Sequence, residues 1–442
     1  MDTLALNLCK PLGPIKPMHA VNNGPVHKKG SQARSNLLEY RAAGIPYVRN
    51  HDASFCADYG GEHTVDIYAV FPDFDADPLE PESYDFAVTD RYLQTIEETG
   101  AKTFYRLGSK IEHGVKKYGT LPPKDFHKWA VICEHIIRHY TAGWADGFHM
   151  DIEYWEIWNE PDLDADDAAN KRNWGGTAKE FYELYAIAAT HLKNCFPHLK
   201  IGGPALAGAW NEKWQTGFFD RLTRDERIPL DFLSWHLYTV NPRHFMESAA
   251  KIREILDRYG YTETESILNE WNYVKDWGTD FPKTIETIIG MKGAAFTAAC
   301  MCEGQNSNAD MLMYYDARPC VFNGLFDFYT CRPLKGYYPF KMFHKLYQKG
   351  TQISCETSAA DIYAIGAVDD SGNAAVLISY YTDEENMPAK KLQLQFNGLK
   401  QKTIRQYLLD KTHDNEMTGT LDAVAAEIHL QPNTVLLLTS ED

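Results

Sequence analysis

The chain has 442 residues, room for a barrel of about 250 residues or more plus a second module. Hydrophobic residues make up 44% and charged residues 24%, ordinary for a globular protein, and no run approaches the roughly 18 apolar residues of a membrane span. The formal charge of −17 argues against nucleic acid or an anionic membrane as partner, since either repels an anion at long range, and mildly against polyanionic glycans. Aromatic residues reach 13%, which suits sugar-binding surfaces and packed cores alike. The nine cysteines form no paired framework, and Cys300 and Cys302 are too close for a zinc knuckle. Free thiols in a reducing compartment are expected, with no metal and no cofactor. Asp2 stands where a secretory leader needs positive charge, and Asn7 and Lys10 interrupt the apolar run, so a cytoplasmic location is expected. The sequence leaves open a homo-oligomer.

Residues 3–8 alternate, with Leu4, Leu6 and Leu8 on one face, before Pro11, Pro14 and Pro17 break the chain. This predicts a separate first strand over residues 1–17, followed by the opening strand of a barrel at 18–25. A short helix at 37–43 ends at Gly44, and the strand at 45–52 places Arg49 and His51 on a common face toward the barrel mouth. Residues 56–82, rich in Asp and Pro, predict an elaborated loop over that mouth. Helices at 84–99, 124–140, 179–195, 213–224, 243–259 and 283–301 then alternate with strands at 102–107, 153–159, 200–204, 231–238, 266–270 and 310–315. Eight strands with helices between them are the count of a closed (β/α)8 TIM barrel, here over residues 18–335. A flat doubly wound sheet is the alternative, disfavoured because no Gly-rich phosphate loop follows an early strand. After Gly336 short alternating runs separated by turn residues such as Asp369-Asp370-Ser371-Gly372-Asn373 predict an accessory β-sandwich over 336–442, to which the first strand adds.

Two strands end on acids. Tyr154-Trp155-Glu156-Ile157-Trp158-Asn159-Glu160-Pro161 has bulky groups on both faces, as a strand covered on both sides requires, and Pro161 stops it at Glu160. Ser266-Ile267-Leu268-Asn269-Glu270-Trp271-Asn272 again runs an apolar strand into a glutamate. A lone strand-end Glu is more often a cap than a catalyst; two of them suggest a carboxylate pair, since all strand ends of a barrel open on one face. Glu156, deeper and inward, must be paired, with a strand arginine as the candidate.

The Asn159-Glu160-Pro161 motif behind Trp158, with a second Glu at a later strand end, resembles the clan A glycoside hydrolases. The wording Glu156-Ile157-Trp158-Asn159-Glu160-Pro161-Asp162-Leu163 is most similar to glycoside hydrolase family 39. The resemblance covers nearly the whole chain, since that family carries a sandwich beside its barrel. It implies a retaining glycosidase acting on oligosaccharides or small glycosides, most similar to β-xylosidases, with Glu160 as acid/base and Glu270 as nucleophile. It also implies that Arg49 lowers the pKa of Glu270, that Asn159 meets the sugar 2-hydroxyl, and that His236 and Tyr238, which share a face of the sixth strand, stand near the acid/base and the nucleophile. His51 and Trp271 are further candidate sugar contacts, while Trp174, Trp210 and Trp277 are each read first as packing. The family pattern places a Trp at the end of the eighth strand where this chain has Tyr315, so that tyrosine is expected to floor the subsite. A metal-dependent barrel hydrolase built on His19, His51, His236 and Asp316, and a non-catalytic carbohydrate-binding barrel, are the alternatives; the second is expected to lack one of the two acids, and both are present.

Overall fold

The computed structural model describes residues 2–440 apart from 31–32, 54–60, 62, 321 and 323. Eight parallel strands close a barrel in chain order: Ala20–Asn22, Tyr47–Arg49, Lys102–Leu107, Tyr154–Ile157, Lys200–Leu206, Phe232–Thr239, Glu265–Tyr273 and Met311–Tyr314, called here barrel strands 1 to 8. Helices that are apolar on one face ring it, from Ala87–Glu97 through Phe126–Ala142, Ala178–Cys195 and Glu212–Thr223 to His244–Arg258, and Met291–Asn306 completes the layer. The segment predicted as one helix at 283–301 is instead two, Phe281–Ile288 and Met291–Asn306, which meet at an angle of 74° across Gly290. The mouth loop predicted at 56–82 lies partly outside the described residues.

The barrel interior is layered. Ala20, Phe104, Tyr154, Phe232, Ile267, Met311 and Met313 fill the floor with apolar side chains, and above them stand Asn22, Arg49, Glu156 and Asn269, all without solvent exposure. Alternation along each strand sends the intervening residues, such as Trp155, Ile157, Leu233, Trp235 and Leu268, outward into the helix layer.

The second region is a nine-stranded sheet. Its first strand, Asp2–Pro14, runs antiparallel to Thr351–Thr357 and parallel to Lys390–Asn397, so the N-terminal segment is a central strand. Leu4 and Leu6 share a core with Ile362, Ile378, Leu392, Ile404, Ile428 and Leu436. Those residues come from strands near both ends of the hydrogen-bonded order, so the sheet curls to face itself as a sandwich. Helix Tyr338–Lys349 follows residue 336 and packs on both regions: its Phe343, His344 and Tyr347 lie on His19 beneath barrel strand 1, and it also lies against strands Ile362–Val368 and Ala374–Tyr380. Helix Met291–Asn306, buried on nearly every side, joins the two regions; its Gly293, Ala294, Ala295, Ala298 and Ala299 admit close approach, and Ser379 Oγ donates to the Ala295 carbonyl at 2.8 Å.

Because the N-terminal strand stands between Thr351–Thr357 and the pair formed by Lys390–Asn397 and Glu427–Leu430, truncating its buried side chain is costly. Leu6→Ala is expected to lower the unfolding free energy by about 2–5 kcal/mol in a denaturant titration, whereas Leu12→Ala, at a 53% exposed position, changes it by about 0.5 kcal/mol or less. Equal effects would show that the strand is not held by that core.

Candidate active site

Glu160 is delivered by a backbone reversal. Strict alternation would send Asn159 outward with Trp155 and Ile157, but Trp158 and Glu160 adopt left-handed φ values of 75° and 45°. Trp158 thereby turns out of the barrel, packing on Trp129 and Trp174 and donating its Nε1 to the Asn173 carbonyl at 2.8 Å. Asn159 turns in. Its Oδ1 accepts from Arg49 Nη2 at 2.7 Å.

Glu270 is delivered by a bulge. In the pairing of strand 7 with strand 6, Leu268 opposes Trp235 and Glu270 opposes His236, so Asn269 is the extra residue. Asn269 and Glu270 consequently both enter the barrel, where Asn269 Nδ2 donates to Glu156. Trp271 is carried to the outer face, fully buried between Phe245 and Tyr314. The expectation that Trp271 touches sugar is therefore corrected: the bulge restores it to the helix-side core.

Arg49 joins the two glutamates of the interior. Its Nε donates to Glu156 Oε2 at 2.6 Å and its Nη1 to Glu270 Oε1 at 2.7 Å and to Asn22 Oδ1 at 3.0 Å. Tyr238, at the mouth end of strand 6, donates to Glu270 Oε2 at 2.9 Å. His236 Nδ1 lies 2.7 Å from Glu160 Oε1 and 3.5 Å from Glu270 Oε2, so the imidazole bridges the pair. The shared parity of His236 and Tyr238 holds because strand 6 is regular there.

Burial sets the protonation pattern. Removal from water lifts Glu160 to a pKa of about 7, against Arg49 and the Asn173 amide, which both favour the anion. Burial also raises Glu270 above the ordinary carboxyl value, with His236, Arg49 and the Tyr238 hydroxyl pulling it back. Arg49 lowers the Glu270 pKa as expected, but desolvation outweighs the guanidinium and the net shift is upward. Burial lowers His236 to about 4, so the ring is neutral above that pH, and raises Tyr238, which remains a donor.

The opposite wall of the mouth carries His51, Asp52, Tyr315 and Arg318. Tyr315 OH donates to Asp52 at 3.1 Å, and its ring meets His51 edge-on and Phe322. Although burial opposes its charge, Arg318 and Lys110 hold Asp52 far below the usual carboxylate range. His51 is 3% exposed and accepts from Arg106 Nε, so it braces the wall. Arg318 is committed to Asp316 at 2.6 Å and Lys275 to Asp383 at 2.7 Å. Of the other tryptophans, Trp174 is core and Trp210 is exposed beside Lys251. Trp277, 62% exposed, stands edge-on to Tyr238 and stacks on Phe281 and Phe322. Sequence reasoning passed over Asn22, Asn173 and Phe322, which lie in short or irregular segments that carry no periodic signal.

The four residues suggested for a metal do not converge. His19 lies at the floor, against Phe343, His344 and Tyr347, and His51 serves Arg106. Glu160, His236 and Glu270 do offer three ligand atoms within 4.8 Å of one another, but both Glu270 oxygens already accept from Arg49 and Tyr238, and a cation there would face the buried guanidinium.

The profile of the glycosyl hydrolases family 39 matches residues 32–284. A β-xylosidase of Geobacillus stearothermophilus is 27% identical over 212 residues, 46% of this chain and 38% of that protein. One of Caldicellulosiruptor saccharolyticus is 30% identical over 166 residues, 35% of this chain and 31% of that protein, so the aligned stretch spans only about a third of these relatives' length. In fold, the chain is similar over 99% of its length to a glucosidase of Croceicoccus marinus, of which it covers 98%, at a TM-score of 0.80 and 24% identity. The family match runs through both strand-end glutamates and takes in more than half of the sequence, so this chain belongs to the glycosyl hydrolases of family 39.

Proposed function

We propose that this protein is a retaining glycoside hydrolase, β-xylosidase-like in substrate. The observation that carries the reading is the approach of a Glu160 and a Glu270 oxygen to within 4.8 Å. A retaining mechanism needs carboxyl groups about 5–5.5 Å apart, because the nucleophile itself bonds the anomeric carbon, while inversion needs about 6.5–9.5 Å to seat a water.

In the first step Glu160, neutral below about pH 7, gives its proton to the leaving oxygen as the bond from C1 breaks with its electron pair. The ionised Glu270, its charge held by Arg49 and Tyr238, attacks C1 from the opposite face and forms a glycosyl ester. In the second step Glu160, now a carboxylate, takes a proton from water; the water oxygen bonds C1 and the ester oxygen leaves with its pair on Glu270. Asn159, oriented by Arg49, has amide hydrogens to offer the sugar 2-hydroxyl, a contact that strengthens in the transition state. The pairing of Arg318 and Lys275 with acids supports a neutral sugar over a uronate, and Tyr315 beside Phe322 supplies the aromatic surface expected from a Trp. A cytoplasmic location is part of the proposal, supported by the eight free thiols among the described residues.

The stereochemical test is direct. Proton NMR of the first sugar released from an aryl β-xyloside is expected to show retained configuration; an initially inverted anomer would overturn the mechanism. Glu270→Gln is expected to keep the melting temperature of the parent and lose turnover, and a 2-fluoro glycoside should label Glu270 in the parent; labelling of another carboxylate sinks the assignment.

The pH dependence follows from the two shifts. Activity requires Glu160 protonated, so it falls as pH rises through about 7, and requires Glu270 ionised, so it falls as pH drops through a value above the ordinary carboxyl range. Glu160→Ala should slow substrates with poor leaving groups by about 10²- to 10⁴-fold, erase the basic limb, and let azide restore turnover of a dinitrophenyl glycoside. A basic limb that survives in that variant assigns it to another group.

A further inference from the structure

Glu160 has a partner outside the barrel strands. Asn173 lies in the segment between barrel strand 4 and helix Ala178–Cys195, and its Nδ2 donates to Glu160 Oε2 at 2.8 Å. It is 1% exposed. The segment that carries it is fixed from several directions: its carbonyl accepts from Trp158 Nε1 at 2.8 Å, the Arg172 carbonyl accepts from Glu112 N at 2.9 Å, and Gly175 N donates to Thr120 O at 2.7 Å. The Arg172 side chain and backbone close on Asp164, with Nη2 to Oδ1 at 2.6 Å and N to Oδ2 at 2.7 Å. The strained turn at Trp158 and Glu160 is thus tied to Asn173 twice, through the indole and through the carboxyl.

Resting on the glycosidase reading above, we propose that Asn173 is a positioning residue for the acid/base, holding Oε2 of Glu160 so that Oε1 keeps its place beside His236 through both steps. The amide is suited to a group that changes protonation. As placed, its N–H stabilises the carboxylate; turned over, its Oδ1, which has no partner among the described residues, accepts from the carboxylic acid. Glu160 is otherwise faced by Arg49, His236, Tyr238 and Glu270 from the strands, and by Asp162, Asp164 and Arg172 from its own loop. Asn173 is neutral, so its loss removes a donor to Glu160 and leaves every one of these charges in place.

The test reads Glu160 itself, by ¹³C NMR titration of carboxyl-labelled glutamate in the full chain, the signal being assigned by its disappearance in Glu160→Gln. Removing a donor to the anion raises the pKa, so Asn173→Ala is expected to move the titration up by about one pH unit, the size of one charge-assisted hydrogen bond. Asn173→Asp, which sets a second carboxylate against the first, should move it further. The basic limb of kcat/KM should follow both, and kcat on a dinitrophenyl glycoside, where water attack needs an aligned base, should fall about tenfold in Asn173→Ala with KM little changed. Should Asn173→Ala unfold, Asn173→Ser is titrated instead. A Glu160 titration that stays put in a folded variant overturns the inference, whatever the activity. If the titration moves but no glycoside is turned over by the parent, the coupling stands and the glycosidase reading fails.

Discussion

The guanidinium of Arg49 has no solvent exposure and four partners: Glu156, Glu270, Asn159 and Asn22. A bare buried cation costs far more than a fold can absorb, and a planar fork of five donors is the side chain best able to satisfy several acceptors at once. The placement of Glu270 and of Asn159 beside Glu160 leads back to it. Glu270 is aimed by Arg49 on one oxygen, Asn159 is turned by the same group, and Glu156 supplies the second negative charge that keeps the arginine balanced when Glu270 carries a glycosyl ester and is neutral. Asn269 satisfies the other oxygen of Glu156, so the charged layer above the apolar floor is a connected network and not a scatter of polar residues.

The strands pay for this placement in irregular backbone. An uninterrupted strand 4 would present Trp158 where Asn159 now stands, and an uninterrupted strand 7 would choose between Asn269 and Glu270. The left-handed residues at Trp158 and Glu160 each cost on the order of 1–3 kcal/mol, offset by burial of the Trp158 indole against Trp129 and Trp174. The bulge at Asn269 lets one strand contribute two successive inward side chains, one structural and one at the site. The turn at Trp158 and Glu160 follows the C-terminal end of strand 4, whereas the bulge falls in the middle of strand 7, above the apolar floor at Ile267.

Protonation is divided by environment within a few ångströms. Both glutamates are withdrawn from water, which raises both, but Glu270 takes two hydrogen bonds from a cation and a phenol, while Glu160 takes one from a neutral amide and faces a neutral histidine. The less supported carboxyl is the one that reaches about 7. The same neutral His236 spans the two oxygens, so a change of charge on one carboxyl is felt by the other through a single ring.

Much of this was legible in the sequence. The alternation of apolar strands and amphipathic helices, Pro161 after Glu160, and the even spacing of His236 and Tyr238 all depend on local periodicity, which a single sequence carries; the N-terminal leucines at alternate positions likewise marked a sheet strand. What periodicity cannot carry is a break in itself. Trp271 was misplaced because a bulge inserts one residue and flips all that follow; the left-handed turn that brings Asn159 inward breaks the alternation in the same way. Asn173 was invisible for a related reason: it acts from an irregular loop whose course is set by contacts to Glu112 and Thr120. The direction of the Glu270 shift belongs to the tertiary structure as well, since a sequence names the arginine that lowers it but not the depth of burial that outweighs it.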